Sequence, residues 1–235
     1  MCLAIHRASQ RFAGEAWPER ISRDDPGWSA QARYFRLREV EAARRYEAIV
    51  AANAGIADLM RTWFSRVLLC SGGVLLHAAA VIRKERALVF SGPSGSGKTT
   101  LARLAGSQTI LSDESVAIAP APTGPGGRTA LLAHGTPFFG EMVQAAANAC
   151  APIGALFLIG PDRSPAGPGL CRAAPVSPAR SAAELLAHTF LRTLSRSSVE
   201  ALLPILGELA GTARIMRLDF APVPGIWEGL DGLLE

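Results

Sequence analysis

The sequence predicts an α/β fold with a mixed β-sheet core, flanking helices and a helical N-terminal extension. Short apolar runs such as "ALVF" and "IGALFLIG" are typical of buried strands. Stretches such as "SPARSAAELLAHTFLRTLS" carry apolar residues three and four positions apart, which is helical spacing. With 235 residues, of which 49% are hydrophobic, the chain can bury the sizeable core that such a fold needs.

The first 68 residues are predicted to form an extension that is mostly helical. From Tyr34 to Cys70 the apolar residues recur at helical spacing, with a break near Asn53 and Gly55. We therefore expect two helices here, the second running from about Ile56 to Cys70. Residues 1–33 show no sustained period, and residues 69–235 are predicted to form the main domain.

The main domain is predicted to begin with a β-hairpin, "GVLLHAAAVIRKERALVFSG", which turns at the charged residues 83–86. A short helix in "TTLARLA" follows, then a strand that ends at Ser112 and another that starts near Ser115. Later strands are expected in "TALLA", "IGALFLIG" and "ARIMRLDF", and later helices in "SPARSAAELLAHTFLRTLS", "SSVEALLPILGELAG" and "GIWEGLDGLLE". Residues 120–128 and 161–169, rich in glycine and proline, are predicted to be mobile loops.

A glycine-rich turn connects the hairpin to the short helix. It reads Gly92-Pro-Ser-Gly-Ser-Gly-Lys98-Thr99 and fits G-x-x-x-x-G-K-[ST], the phosphate-binding P-loop. Its glycines let backbone N–H groups turn inward, and the following helix directs its positive end at the anion. Lys98, one of only two lysines in the chain, would reach the β- and γ-phosphates as a compact charge. The motif predicts a bound nucleotide with Mg²⁺. We expect ATP, with GTP or another donor as the open alternative, and the binding residues expected are Gly92, Ser94, Gly95, Ser96, Gly97, Lys98, Thr99 and Thr100.

The neighbouring motifs narrow the class of nucleotide-binding protein. No LSGGQ-like signature follows the loop, and no N-K-x-D motif of small GTPases is present. The acidic pair Asp113-Glu114 follows Thr99 by only fourteen positions, so a single short helix and one strand separate the two sites. His77 lies fifteen positions ahead of Gly92, in an otherwise apolar strand.

Four segments in this order, "LLHAAAV", "SGPSGSGKTTLA", "LSDESVAI" and "AHGTPFFGE", resemble the HPr kinase/phosphorylase family and its PEP-carboxykinase-like fold. The resemblance covers about residues 65–160. The fourth segment resembles one in smaller HPr-kinase-like proteins, some of which belong to peptide-tailoring clusters, including those for lasso peptides. The chain departs from the bacterial regulators, which carry Asp-Asp at the acidic pair, and lacks a recognisable phosphorylase segment. These departures from the family favour a stripped-down kinase over a phosphorylase.

The resemblance also implies roles for the site residues. Asp113 would be the base that receives the hydroxyl proton, with a Mg²⁺ ligand as the alternative. Glu114 would share the metal, as would Thr99, although an exposed strand-end charge is an open alternative for Glu114. His77 would orient Asp113 or a phosphate, unless it is a core histidine. The expected catalytic residues are thus His77, Lys98 and Asp113.

The sequence offers weaker evidence for several other candidate site residues. Glu141 and His134 border a segment that could close over the site. The arginines that could steady the transferring phosphoryl group are Arg172, Arg180 and Arg192. His188 is expected to be an ordinary core or surface residue.

The function expected from these motifs is ATP- and Mg²⁺-dependent phosphorylation of a Ser or Thr hydroxyl on a peptide or small protein, with a lasso-type precursor peptide as the most specific case. Two alternatives stay open: a nucleotide-binding regulatory protein without transfer activity, and a small-molecule kinase.

The net charge of +4 comes with dispersed arginines, which argues against a nucleic-acid partner. No apolar run is long enough to span a membrane, and the four cysteines lack a C-x-x-C spacing, so we expect a cytoplasmic protein with reduced thiols. A homo-oligomer is left open.

Overall fold

The computed structural model describes residues 2–7, 29–32, 35–41, 45–50, 56–121, 130–142, 147–160, 170–190 and 196–234. These residues form two β-sheets and five helices. The elements in chain order are β1 Cys2–Arg7, β2 Ser29–Ala32, β3 Phe35–Glu41, β4 Arg45–Val50, α1 Ala57–Cys70, β5 Val74–Arg83, β6 Arg86–Ser91, α2 Lys98–Arg103, β7 Thr109–Ser112, β8 Ser115–Pro120, β9 Leu131–His134, β10 Cys150–Ile159, β11 Cys171–Pro175, α3 Pro178–Ala187, α4 Arg196–Thr212, β12 Ile215–Phe220 and α5 Ile226–Leu234.

The larger sheet has the strand order β11-β12-β10-β6-β5-β8-β9, with β7 also paired to β5. Strand β5 changes partners along its length: residues 74–77 pair with β8, and residues 78–83 pair with β6. The change occurs where β6 ends at Ser91 and β8 begins at Ser115, since Ser91 is opposite Ala78 and Ser115 is opposite His77. The loops that follow β6 and precede β8 therefore open at the same place.

The β5–β6 hairpin predicted from the sequence is present, and the geometry of its turn fits the two strands. Lys84 and Glu85 both have positive φ, 50° and 62°. Two successive residues with positive φ form the turn type whose twist matches that of the flanking strands. The helix predicted from Ile56 to Cys70 and the strands predicted on either side of Asp113 are present as well, as α1, β7 and β8.

Apolar residues cover both faces of the larger sheet. In β5, Ala78 and Ala80 contribute to one buried cluster and Ala79 and Val81 to the other, as the two-residue period of a strand requires. Helices α3 and α4 pack together, and α4 contributes three buried leucines to the first cluster. Helices α2 and α5 cover the second.

The prediction of a helix between Tyr34 and Asn53 is wrong. Residues 35–41 and 45–50 instead form strands β3 and β4 of the smaller sheet, whose strand order is β1-β4-β3-β2. Tyr46, Ala48 and Val50 are buried whereas Ile49 between them is exposed, which is strand periodicity. The alanine, arginine and glutamate content favours a helix locally, but burial of alternate residues against α1 outweighs that propensity.

The N-terminal extension is therefore helical only in α1, among the residues described. The division of the chain at residue 68 stays a prediction; it falls inside α1. Strands β1, β2 and β11 were not predicted.

The structure does not describe residues 122–129 and 161–169. The loop predicted at 120–128 therefore lies largely outside the described residues, and the loop predicted at 161–169 lies wholly outside them. All four cysteines are described, and none forms a disulfide. No helix in the described part of the chain is both long and apolar enough to cross a membrane.

Candidate active site

The glycine-rich loop runs from the end of β6 to the start of α2, and three of its glycines have a steric reason to be there. Gly95 and Gly97 have φ values of 77° and 99°, which other residues rarely adopt. A Cβ on Gly92 would lie 2.5 Å from the carbonyl oxygen of Ile159 in β10. The loop is thus held close to the neighbouring strand with its backbone turned in a way that requires glycine.

Lys98 is folded into this loop. Its side chain is only 5% exposed, and Nζ donates hydrogen bonds of 2.8 Å to the carbonyl oxygens of Gly92 and Pro93. Burial lowers the pKa of Lys98, and the negative charge of Glu114 opposes this effect. The hydroxyl of Ser96 is also buried, and it has no hydrogen-bond partner among the described residues.

A cleft of about 370 Å³ lies beside the loop. The loop and α2 form one wall, and residues from β5, the β7–β8 turn and the segment after β9 form the other. The residues lining the cleft are His77, Ser94, Gly95, Gly97, Lys98, Thr99, Thr100, Arg103, Glu114, Gly140 and Glu141. All predicted loop residues except Gly92 and Ser96 therefore line it, together with His77 and Glu114.

His77 and Glu114 form a pair across the β5–β8 junction. Nδ1 of His77 is 3.1 Å from the carbonyl oxygen of Glu114 and 3.5 Å from its Oε1. A carbonyl oxygen only accepts, so neutral His77 carries its proton on Nδ1 and keeps a lone pair on Nε2. Burial lowers the pKa of His77, the charge of Lys98 lowers it further, and Glu114 opposes both. The imidazole is therefore held in its neutral form.

Asp113 occupies a different environment from Glu114. Its side chain is 1% exposed and does not line the cleft. Oδ1 accepts a hydrogen bond from Gly140 N (2.9 Å), and Oδ2 accepts from Glu141 N (2.8 Å) and Met142 N (3.3 Å). Asp113 thereby holds the segment after β9 against the β7–β8 turn. Its role as base or metal ligand stays a prediction, and the acidic side chain of the pair that reaches the cleft is that of Glu114.

The segment after β9 closes one side of the cleft. Thr136 donates a 2.7 Å hydrogen bond to the carbonyl oxygen of Ser115, which ties the segment to β8. Farther along, the carboxylate of Glu141 pairs with Arg103 of α2. Arg103 was not predicted from the sequence, although it lies four residues after Thr99 and hence on the same face of the helix.

A second layer of residues lies next to His77. The backbone after α3 pairs with β5, since His77 N donates to His188 O (2.7 Å) and Phe190 N donates to Leu75 O (3.0 Å). The ring of Phe190 packs edge-on against His77, with 5.7 Å between the ring centroids. Nδ1 of His188 is 3.1 Å from the hydroxyl of Ser91. Burial lowers the pKa of His188, with smaller contributions from Lys98 and His77.

The remaining predicted candidates do not line the cleft. His134 belongs to β9, where it pairs with Ala117 and Cys150. Arg172 is exposed on β11, and the exposed Arg180 forms an ion pair of 3.0 Å with Glu184. Arg192 lies outside the described residues.

The cleft offers oxygen atoms suited to Mg²⁺. Among the described residues, no group of three or more His, Cys, Asp and Glu side chains could hold a metal ion by itself. Thr99 and Glu114 do line the same cleft. Since Mg²⁺ usually takes one or two protein oxygens and completes its shell with waters and substrate phosphates, these residues fit the ion when a nucleotide accompanies it.

No protein-family model matches the chain, and no curated protein matches its sequence. Among solved structures, the chain is similar to the Hpr(Ser) kinase/phosphatase from Coxiella burnetii, with 12% sequence identity and a TM-score of 0.36. The alignment covers 68% of this chain and 94% of that one. The similarity is distant, so the function is argued from the geometry of the site.

Proposed function

We propose that the protein is a phosphotransferase that uses ATP and Mg²⁺ to phosphorylate a Ser or Thr hydroxyl of a peptide or small protein. One observation carries the proposal: a single cleft has a glycine-rich loop with a buried lysine on one wall and a histidine–carboxylate pair on the other. Phosphoryl transfer needs these two components, a cradle for the phosphates and a proton acceptor beside the attacking hydroxyl.

The loop wall binds the nucleotide in this proposal. Backbone N–H groups of residues 94–98 and the ammonium group of Lys98 would hold the phosphates of the nucleotide. Lys98 exchanges the carbonyl oxygens of Gly92 and Pro93 for phosphate oxygens, which are stronger partners because they are charged. Thr99 and Glu114 would hold Mg²⁺, which would neutralise negative charge on the phosphates.

The opposite wall binds the acceptor. The hydroxyl oxygen forms a bond to the γ-phosphorus as the bond from that phosphorus to the β–γ bridging oxygen breaks, and ADP leaves. The hydroxyl proton passes to Nε2 of His77, which has its lone pair available because Nδ1–H is bonded to the Glu114 carbonyl oxygen. The Glu114 carboxylate, 3.5 Å from Nδ1, stabilises the imidazolium that forms. This assignment differs from the one implied by family resemblance, in which Asp113 is the base.

The proposed acceptor is a peptide, and its most specific form is a ribosomal precursor peptide of the lasso type. The support for this finer statement is the resemblance of "AHGTPFFGE" to a segment of small HPr-kinase-like proteins. In this chain that segment contributes Gly140 and Glu141 to the cleft.

The test is mass spectrometry of serine-bearing peptides after incubation with the protein, ATP and Mg²⁺, with Lys98→Ala as the inactive control. We expect one phosphate per peptide, and a lower kcat/KM for free serine, which lacks the remote contacts that position the hydroxyl. Equal kcat/KM for free serine would make the protein a small-molecule kinase. ATP binding without transfer to any hydroxyl would make it a nucleotide-dependent regulatory protein.

A further inference from the structure

Helix α1 lies between the two sheets and presents different faces to them. Leu59, Trp63 and Val67 pack on the smaller sheet, whereas Phe64 and Leu68 pack on the larger one. Arg61 is three residues before Phe64 and seven before Leu68, so it lies on the side of α1 that faces the larger sheet.

Two aromatic rings flank the guanidinium group of Arg61. Its central carbon is 5.0 Å from the ring centroid of Phe190 and 5.5 Å from that of Phe138. Contacts of this kind attract the cation and restrict the orientation of the planar group. The rest of the helix supports the arrangement, since Phe64 packs edge-on against Phe138 at 5.7 Å between centroids.

Both rings lie directly behind the walls of the candidate active site, although neither lines the cleft itself. Phe190 also packs edge-on against the imidazole of His77. Phe138 lies in the segment that Asp113 and Thr136 hold at the cleft. A positive charge is thus fixed one ring away from the proposed base.

Arg61 has unused hydrogen-bonding capacity. In the described part of the chain its one ion pair is with Asp58, at 3.6 Å, and that carboxylate is half exposed. Its buried Nε has no hydrogen-bond partner there. Arg83, by contrast, makes two hydrogen bonds of 2.6 Å to a single carboxylate, Asp231. The Arg61 side chain is 20% exposed, so part of it is open to a ligand.

We propose that Arg61 determines acceptor specificity by binding a carboxylate that lies close to the hydroxyl to be phosphorylated. The inference rests on the proposed function and names the class of acceptor: a hydroxyl-bearing peptide with a neighbouring carboxylate. A planar guanidinium held by two rings matches the two oxygens of a carboxylate. The carboxylate can come from an Asp or Glu side chain or from a free C-terminus, and the chemistry at Arg61 is the same for both.

The experiment measures kcat/KM for three peptides that share one serine. The first has glutamate beside the serine and an amidated C-terminus, the second ends in the serine with a free carboxylate and carries glutamine in place of glutamate, and the third is the glutamine peptide with an amide end. Each is assayed with the wild type, Arg61→Gln and Arg61→Lys. Arg86→Gln is the matched control, because Arg86 begins β6 and the glycine-rich loop follows its other end.

We expect at least one charged peptide to exceed the neutral one by about tenfold to a hundredfold, the range for a hydrogen bond to a charged group. The preference should disappear in Arg61→Gln, persist in part in Arg61→Lys and remain in Arg86→Gln. Which charged peptide gains identifies the source of the carboxylate. The preference should also weaken as salt is added, since the contact is partly exposed.

Equal use of charged and neutral peptides by the wild type would overturn the inference while leaving the proposed kinase function intact, and so would a charge preference that survives in Arg61→Gln. Failure of all three peptides to be phosphorylated, with Mg-ATP still bound in calorimetry, would instead overturn the proposed function and the inference with it. Thermal unfolding of each variant checks that the loss of preference is measured on folded protein.

Discussion

At the scale of single residues, Lys98 connects the fold of the loop to its proposed chemistry. Its ammonium group fits between two carbonyl oxygens with only 5% of the residue exposed, a position that suits a compact charge better than a planar guanidinium. We expect both Lys98→Ala and Lys98→Arg to lose at least about tenfold in Mg-ATP affinity, because a charge-assisted contact is removed in one and misplaced in the other. Isothermal titration calorimetry measures this. Wild-type affinity in Lys98→Ala would contradict the assignment of the loop.

His77 should set the acid side of the pH–activity profile. Burial and Lys98 hold its pKa below the usual 6.5, so the imidazole is neutral at pH 7 and becomes protonated only as the pH falls further. Only the neutral form can accept the hydroxyl proton, so kcat/KM should fall with pH below 6.5. His77→Gln should reduce kcat by about 10²–10⁴-fold with Mg-ATP affinity retained, and it should remove this acid limb. If the acid limb of the pH–activity profile is unchanged in this variant, His77 is not the base, and Asp113 is the next residue to test.

Asp113 should act through the segment it holds. Asparagine would keep the shape but has one carbonyl oxygen and an NH₂ group in place of two accepting oxygens, so at least one of the three backbone N–H groups would lose its partner. We expect Asp113→Asn to lower the free energy of unfolding by about 1–3 kcal/mol, measured by urea denaturation. Full stability together with loss of turnover would favour Asp113 as the base.

The residues that could be predicted from the sequence are those whose positions are set locally. One short motif between a strand and a helix contains Gly95, Gly97, Lys98 and Thr99. Arg103 could also have been predicted, because it lies four residues after Thr99 on the same face of the helix. Arg61, Phe138 and Phe190 come from three distant parts of the chain and meet only because α1 and the segment after α3 both pack near β5. No local pattern in the sequence carries that contact.

At the scale of elements, the segment from residue 134 to residue 142 depends on a glycine as well as on Asp113. A Cβ on Gly140 would lie 2.8 Å from Oδ2 of Asp113, which cannot move away without losing its backbone hydrogen bonds. We expect Gly140→Ala to displace the segment and reduce kcat/KM by about tenfold or more, because small misplacements at a transfer site are costly.

Gly207→Ala in α4 is the matched control. Its new methyl group would meet nothing within 4 Å, and alanine favours a helix, so stability should stay equal or rise slightly. Wild-type kinetics in Gly140→Ala would show that the segment does not shape the site.

Among the elements, those with a local cause in the sequence could be predicted and those that depend on distant pairing could not. The β5–β6 hairpin was predictable because two apolar runs flank a short charged turn. The positive φ of Lys84 and Glu85 was not predictable, since residues other than glycine rarely adopt it. Strands β3 and β4 were mistaken for a helix because their arginine, glutamate and alanine residues have high helix propensity. Their strand state depends on pairing with each other and on the burial of Tyr46 and Leu37, which are not local properties.

At the scale of the whole molecule, the division of β5 between two sets of partners determines where the site forms. The strand pairs with β8 up to and including His77 and with β6 from Ala78 onward, so the loops that hold Lys98 and Glu114 emerge together. Helix α1 then closes this region from the side of the smaller sheet. The β5–β8 half of this arrangement was beyond prediction from the sequence, since β6, α2 and β7 lie between these two strands in the chain.

The same burial that prepares the site should make the stability of the whole protein depend on pH. Burial lowers the pKa of His77, His134 and His188 from the usual 6.5. Each histidine therefore binds a proton more readily in the unfolded chain than in the folded one, and stability present above pH 6.5 is lost as the pH falls through the lower folded pKa values.

We expect the free energy of unfolding, measured by urea denaturation, to fall between pH 7.5 and pH 5.5. Asp231 does not account for a fall in this window, because hydrogen bonds from Arg83 hold its pKa below the usual 3.8 and its effect comes at lower pH. His134→Gln should flatten the pH dependence without altering the cleft, since His134 does not line it. A free energy of unfolding that stays constant or rises over this range would mean that these histidines are solvated when the chain is folded, and a neutral His77 could not then be attributed to burial.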